Sequence, residues 1–209
     1  MSGTAHIYDA DIDPTKQEIV ARYGAITDYE GSYRLVDFQG DEVGIEVHVG
    51  RDVEGRLSQM PVTYRPAEVD PLATLTTMEH SVLGTRWVSN ALGDPVAVRE
   101  FIRTIVTGDD GAEYSNGVTP VLDVRGSGEE KDAEVGEVKL TEFTRQRAVG
   151  TVVINGSRRS FKLRMSNLLS PARVNATGYT TSKLRLTGVT AAGTEVIAAE
   201  FAWLDQVMK

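Results

Sequence analysis

The run Val43–Val49 is the strongest constraint on what this chain can become. Val43, Ile45, Val47 and Val49 alternate with Gly44, Glu46 and His48. A period of two sends neighbouring side chains to opposite faces of a strand, so one face is apolar and the other polar. Such strands build antiparallel sheets covered on one side. The polar face, with Glu46 and His48, is expected to meet solvent. Ser32–Phe38 is expected to pair with this strand across Gln39-Gly40-Asp41. Met60, Val62 and Tyr64 form a further strand face, and Pro61 between them belongs at an edge or bulge because proline cannot donate to a ladder. Met78–Val88 reads as another strand whose alternation changes face at Gly84, as a bulge would produce.

The same pattern returns later in the chain. Asn155-Gly156 is a strong two-residue hairpin signal, since both residues tolerate positive φ. Phe161, Leu163 and Met165 alternate inward in the strand that follows. Lys183–Val189 and Glu195–Leu204 form a second hairpin through Ala191-Ala192-Gly193. Two helices interrupt the strands. In DPTKQEIVARYG, Asp13 is expected to cap, Pro14 to take the first helical position and Gly24 to end the helix. In DPVAVREFIRTIVTG, Asp94 and Pro95 repeat that start and Gly108 stops it. Val98, Phe101, Ile102, Ile105 and Val106 make its apolar stripe. The fold class is therefore α+β: mostly antiparallel sheets with two main helices. Residues 1–125 form an α+β region, 126–137 an acidic flexible linker or loop, and 138–209 a β-rich region packed on the first.

Charge divides the chain differently. Net charge is −8, yet Met1–Glu137 carries 11 Lys+Arg against 26 Asp+Glu, while Val138–Lys209 carries 11 against 4. The overall acidity argues against nucleic acid, whose binding rests on neutralising phosphates. The basic third keeps an anionic ligand open, through Lys162 and Arg164 on one strand and Lys183 and Arg185 on another. Arg145 and Arg147 extend that set. Cations this close along a sheet call for counter-charge, and the acidic N-terminal part is the expected source. There are no cysteines, which removes disulfides and thiolate metal sites. No apolar run reaches the ~20 residues of a membrane helix. A cytoplasmic protein without cofactor is the simplest expectation.

The candidate chemistry sits in TTMEHSVLGTRWVSNALGDPV. Glu79 and His80 are neighbours on a strand, point to opposite faces and do not make one acid–base pair. Arg86-Trp87 suits ligand stacking, or equally a half-buried Trp covered by an Arg stem. Trp87 is expected to turn inward near Phe101 and Ile105. No phosphate-binding GxxxxGK[ST] loop, GxSxG elbow or HExxH pair is present.

VTYRPAE followed by TMEHSVLGTRWVSNALGDPVAV resembles the maltokinase N-terminal cap-like family. The matching residues are Thr63, Tyr64 and Arg65, then Thr77, Glu79, His80, Val82–Gly84, Arg86, Trp87 and Val88, then Asp94, Pro95 and Val96; Ile7, Asp9, Pro14, Thr15, Lys16 and Glu18, and Val43–Glu46, also fit. Ser89-Asn90 departs from the family pattern of an aromatic and an acid. The resemblance runs well to Val106 and weakly beyond. It implies a cystatin-like helix held on an antiparallel sheet, which in maltokinases precedes a kinase-like lobe that phosphorylates maltose with ATP. No HGD catalytic triplet occurs here. Stand-alone members are often labelled 1,4-alpha-glucan branching proteins, but a β/α barrel with paired carboxylates needs ~250 residues. The resemblance thus implies a non-catalytic partner or regulator of a kinase or other enzyme of α-glucan, maltose or trehalose metabolism. An anion- or sugar-binding module and a carbohydrate-active enzyme are the alternatives. Tyr64, Glu79, His80, Arg86, Lys162, Arg164, Lys183 and Arg185 are the candidate binding residues.

Overall fold

The computed structural model describes residues 3–40, 43–172 and 184–204. Two short strands, β1 (Thr4–Ala5) and β2 (Ile12–Asp13), precede helix α1 (Lys16–Tyr23). Strands β3 (Asp28–Leu35), β4 (Gly44–Arg51), β5 (Leu57–Arg65), β6 (Thr74–His80) and β7 (Arg86–Asn90) lead to helix α2 (Pro95–Thr107). After it come β8 (Glu113–Tyr114), β9 (Leu122–Gly126), β10 (Val135–Phe143), β11 (Arg147–Ile154) and β12 (Ser157–Arg164). The described chain closes with β13 (Ser170–Pro171), β14 (Leu184–Thr190) and β15 (Glu195–Trp203). The class is α+β, and its two large sheets are antiparallel. The first runs β2-β6-β7-β5-β4-β3; the second runs β10-β11-β12-β15-β14-β9, with β13 beside β15. The pair β1 and β8 is parallel.

The two helices start by different devices. Asp94 accepts from the amide of Val96 at 3.0 Å and Pro95 follows it, while Gly108 closes α2 in the left-handed region at φ 70°. Helix α1 departs from the expected pattern: Asp13 pairs with Glu79 in the sheet and the Asp13–Pro14 peptide is cis. Thr15 is the cap, in a reciprocal box with Glu18. Ladder pairing claims Asp13 before the helix can, and the box satisfies the amides of Thr15 and Glu18 reciprocally.

The alternation of β3 and β4 serves two cores. Tyr33, Leu35, Ile45, Val47 and Val49 join one large buried cluster with α2 and the inner faces of β9–β12, β14 and β15. Phe101, Ile102 and Ile105 of α2 lie at its centre with no exposed surface. Ile19 and Val20 of α1 form a second cluster with Met60, Val62, Tyr64, Met78 and Val88 on the other face of the first sheet. Strand β9 pairs with β14, so residues 122–126 belong to the second sheet. A Cβ on Gly126 would run into the carbonyl oxygen of Thr104, and one on Gly128 into that of Val106. Those glycines let the backbone reach the end of α2, where the Gly128 amide donates to Ile105 at 2.8 Å.

Two local expectations change. Gly84 is not a bulge: it sits at φ 73° in the turn between β6 and β7, and its amide donates to His80. These strands therefore form a hairpin, and Val88 is the inward residue, fully buried opposite Tyr64. Trp87 stands between Arg65 and Thr77 on the opposite face, half-buried and outside both apolar clusters. Pro61 lies in an interior strand opposite Val47, but β7 begins to pair only at Val62, so that flank of β5 is locally an edge. Asn155 and Gly156, at φ 49° and 76°, make the expected hairpin turn between β11 and β12.

Candidate functional site

Glu46 and His48 do not face solvent: both have no exposed surface. Helix α1 covers their side of β4, because Ile19 and Val20 need the apolar stretch offered by Met60 and Val62 next door. Burial makes partners costly to forgo for the polar groups on that face. The Glu46 carboxylate accepts from Lys16 Nζ at 2.8 Å, Ser32 Oγ at 2.6 Å and Arg34 Nη2 at 3.0 Å. Burial alone would push its carboxyl up, but the Arg34 and Lys16 charges outweigh that and hold it well below the ordinary carboxylate range. The His48 ring lies between two phenols, with Nδ1 3.2 Å from the Tyr29 hydroxyl and Nε2 2.8 Å from the Tyr64 hydroxyl. Burial lowers His48 to about 4, helped by the Lys16 and Arg34 charges and opposed by Glu46. Burial likewise raises Tyr29 and Tyr64. At neutral pH the cluster holds one carboxylate, two cations, a neutral imidazole and two phenols.

A cavity of about 530 Å³ opens beside this cluster, between the helix face of the first sheet and the N-terminal segment. Lys16, Arg34, Glu46 and Tyr64 form its floor; His80 and Arg86 come from the β6–β7 hairpin. His6 and Tyr8 close one side, with ring centroids 4.4 Å apart edge to face, and Tyr8 meets His80 the same way at 5.7 Å. The N-terminal segment is tied down at both ends. The Ile7 amide donates to Ser115 Oγ at 2.9 Å and the Asp11 amide to Ser81 Oγ at 3.0 Å. Strand register decides which hairpin residues reach the cavity. Met78 is opposite Arg86 and Ile12 opposite His80, all on the helix face.

The described candidate binding residues separate into three places. Tyr64, His80 and Arg86 line the cavity. Glu79 points to the other face and accepts from Thr85 Oγ1 at 2.8 Å. His80 also shapes the turn, its Nδ1 accepting from the amides of Val82 and Leu83 at 3.2 and 3.1 Å. Lys162 and Arg164 lie on the outer face of the second sheet, where Arg147 is opposite Arg164. Arg185 is on β14, on the far side of β15 from them, and lies opposite Glu200 of β15. Lys183 lies outside the described residues. The counter-charge differs from the expected N-terminal acids: Arg164 reaches Glu200 at 3.6 Å and Arg147 is bonded to Glu142, both acids of the same sheet. Arg145 sits in the turn before β11 and donates to the Tyr23 carbonyl at the end of α1, at 2.6 Å.

Sequence reasoning missed Lys16, Arg34, Glu46 and His48 as one cluster. The available signal was a short helix whose apolar pair, Ile19 and Val20, had to land on a sheet face carrying Glu46 and His48. The carboxylate accepts from three donors and the imidazole is enclosed between two phenols. Among the described residues, no group of three His, Asp or Glu is arranged to hold a metal ion. No curated protein matches the chain. Residues 21–94 match the family model of the maltokinase N-terminal cap domain, so the resemblance carried by Thr63–Arg65 and the Thr77–Val88 motif stands for this part of the chain.

Proposed function

We propose that this chain is a non-catalytic cap-type protein acting as a partner or regulator of a maltokinase-like enzyme in α-glucan, maltose or trehalose metabolism, in the cytoplasm. The observation that carries this reading is the match over residues 21–94, which spans all of β3–β7 and stops at the Asp94 cap of α2. The residues that carry the resemblance build the fold. Arg65 grips Asp94 through two bonds of 2.7 Å, and Tyr64 holds His48. Thr85 donates to Glu79, and His80 receives two turn amides. A motif spent on architecture suits a docking module better than a catalyst.

The test mixes the purified chain with a maltokinase-type catalytic lobe and follows sedimentation velocity and maltose phosphorylation. Association at micromolar concentration, with a change in the kinase rate, is the expected result. Pull-down from lysate extends the search to kinases of unknown identity. The chain alone is expected to show no maltose-dependent ATP turnover. Turnover abolished by a point mutation within the chain overturns the reading.

A further inference from the structure

We propose that the cavity under the N-terminal segment binds a small organic molecule with an anionic head, a phosphate or a carboxylate, held by Arg34 and Arg86. Charge is the first argument. Among the described residues lining the cavity, Lys16, Arg34 and Arg86 are cations and Glu46 is the lone carboxylate. A positive surplus of this kind inside a chain of net charge −8 is a local departure that an anion would neutralise.

Unmet hydrogen-bonding capacity is the second argument. The Nε atoms of Arg34 and Arg86 are both buried, and neither has a partner among the described residues. Buried donors of this strength are normally paired, and an unpaired one signals a missing ligand or water. A guanidinium offers its Nε and Nη donors as a planar fork that fits two oxygens of one oxyanion. Arg34 already gives Nη2 to Glu46, and Arg86 gives Nη2 to the Leu83 carbonyl at 2.6 Å. Those bonds fix the side chains and leave the Nε donors without a partner among the described residues.

Volume sets the rest of the ligand. About 530 Å³ is far more than one oxyanion fills and lies within the ~300–1,000 Å³ of small-molecule sites. Ile12, Met78 and Leu83 line the cavity beside the Tyr8 ring, so the body of the molecule meets apolar and aromatic surface. An anionic head on a ring-sized body satisfies both parts. This site is separate from the basic face of Lys162 and Arg164, and it does not depend on the partner role proposed above.

Isothermal titration calorimetry at low ionic strength tests it with four probes: 4-nitrophenyl phosphate, 4-nitrobenzoate, neutral 4-nitrobenzyl alcohol and inorganic phosphate. The two aromatic anions are expected to bind saturably at one site, about tenfold tighter than the neutral alcohol and than phosphate alone. The phosphate and carboxylate arms show which head is preferred. Arg34→Gln removes a partner of buried Glu46 and destabilises the fold, so Arg86→Gln is the working variant. It is expected to keep the parent melting temperature and weaken both anions about tenfold, while Lys162→Gln changes neither. No saturable binding at low millimolar concentrations, equal affinity for the neutral alcohol, or unchanged binding in Arg86→Gln overturns the proposal.

Discussion

Glu46 and His48 show how a buried polar residue differs from the same residue on a surface. Removing one partner from a buried ion pair strands the other, at a cost of about 3–5 kcal/mol. Glu46→Ala, which leaves Lys16 and Arg34 facing an emptied site, is expected to fall in that range by urea unfolding at neutral pH. His48 adds a pH dependence with a definite sign. Its value is about 4 in the fold against 6.5 when unfolded, so between those values the unfolded chain binds the extra proton. Stability is therefore full above pH 6.5 and lost as pH falls toward 4, by about 3 kcal/mol for this residue. Glu46, held low, acts the same way once pH drops below the usual carboxylate range. Urea unfolding at pH 7.5 and 4.5 checks this, and His48→Gln should flatten the slope. A parent protein equally stable at both values would show that His48 is not enclosed as described. The polar alternation of β4 was plain in the sequence, but its burial was not. Alternation gives the two faces of a strand and says nothing of what covers each. Here the cover comes from α1, some two dozen residues upstream.

Elements were legible where the local code was redundant. Helix α2 has its cap, its proline, a complete apolar stripe and a glycine stop, and all act as expected. Asn155-Gly156 left no competing turn. Where one signal served two structures, the reading slipped: Asp13 looked like a cap but pairs with Glu79, and Gly84 looked like a bulge but turns a hairpin. The two caps now give a graded expectation. Thr15→Ala should cost about 1 kcal/mol, the usual worth of a cap. Asp94→Ala should cost about 3–5 kcal/mol, because it also leaves the nearly buried Arg65 guanidinium without its carboxylate. Equal melting temperatures for the two variants would deny the Arg65–Asp94 pair its role. Trp87→Ala is a companion test. Trp87 lies outside both cores, so it should cost less than Phe101→Ala, for which about 3–5 kcal/mol is expected from a fully enclosed ring.

At the scale of the whole molecule, one apolar cluster runs from β3 and β4 through α2 into the second sheet. The α+β class and the order of strands along the chain were readable, since turns and periodicity are local. The return of β9 to pair with β14 was not, because pairing between distant strands leaves no local mark. The shared cluster leads us to propose that the two regions fold as one. A chain truncated after residue 125 would lose the strands that cover α2 and β9, and should bind hydrophobic dye without a cooperative melt. A sharp melt in that fragment would show two independent cores. The same layout governs how the gene can change. From Ser32 in β3 and from Gly44 in β4, residues facing α1 and the cavity alternate with residues of the shared core. Substitution at any one position disturbs one side. Insertion or deletion of a single codon at the start of this run, before Ile45, would exchange the two sides from there on, turning Ile45 and Val47 toward α1 and Glu46 and His48 toward the core. A change of length in these strands should therefore cost more than a single substitution, and variation in the number of residues should collect at the turns.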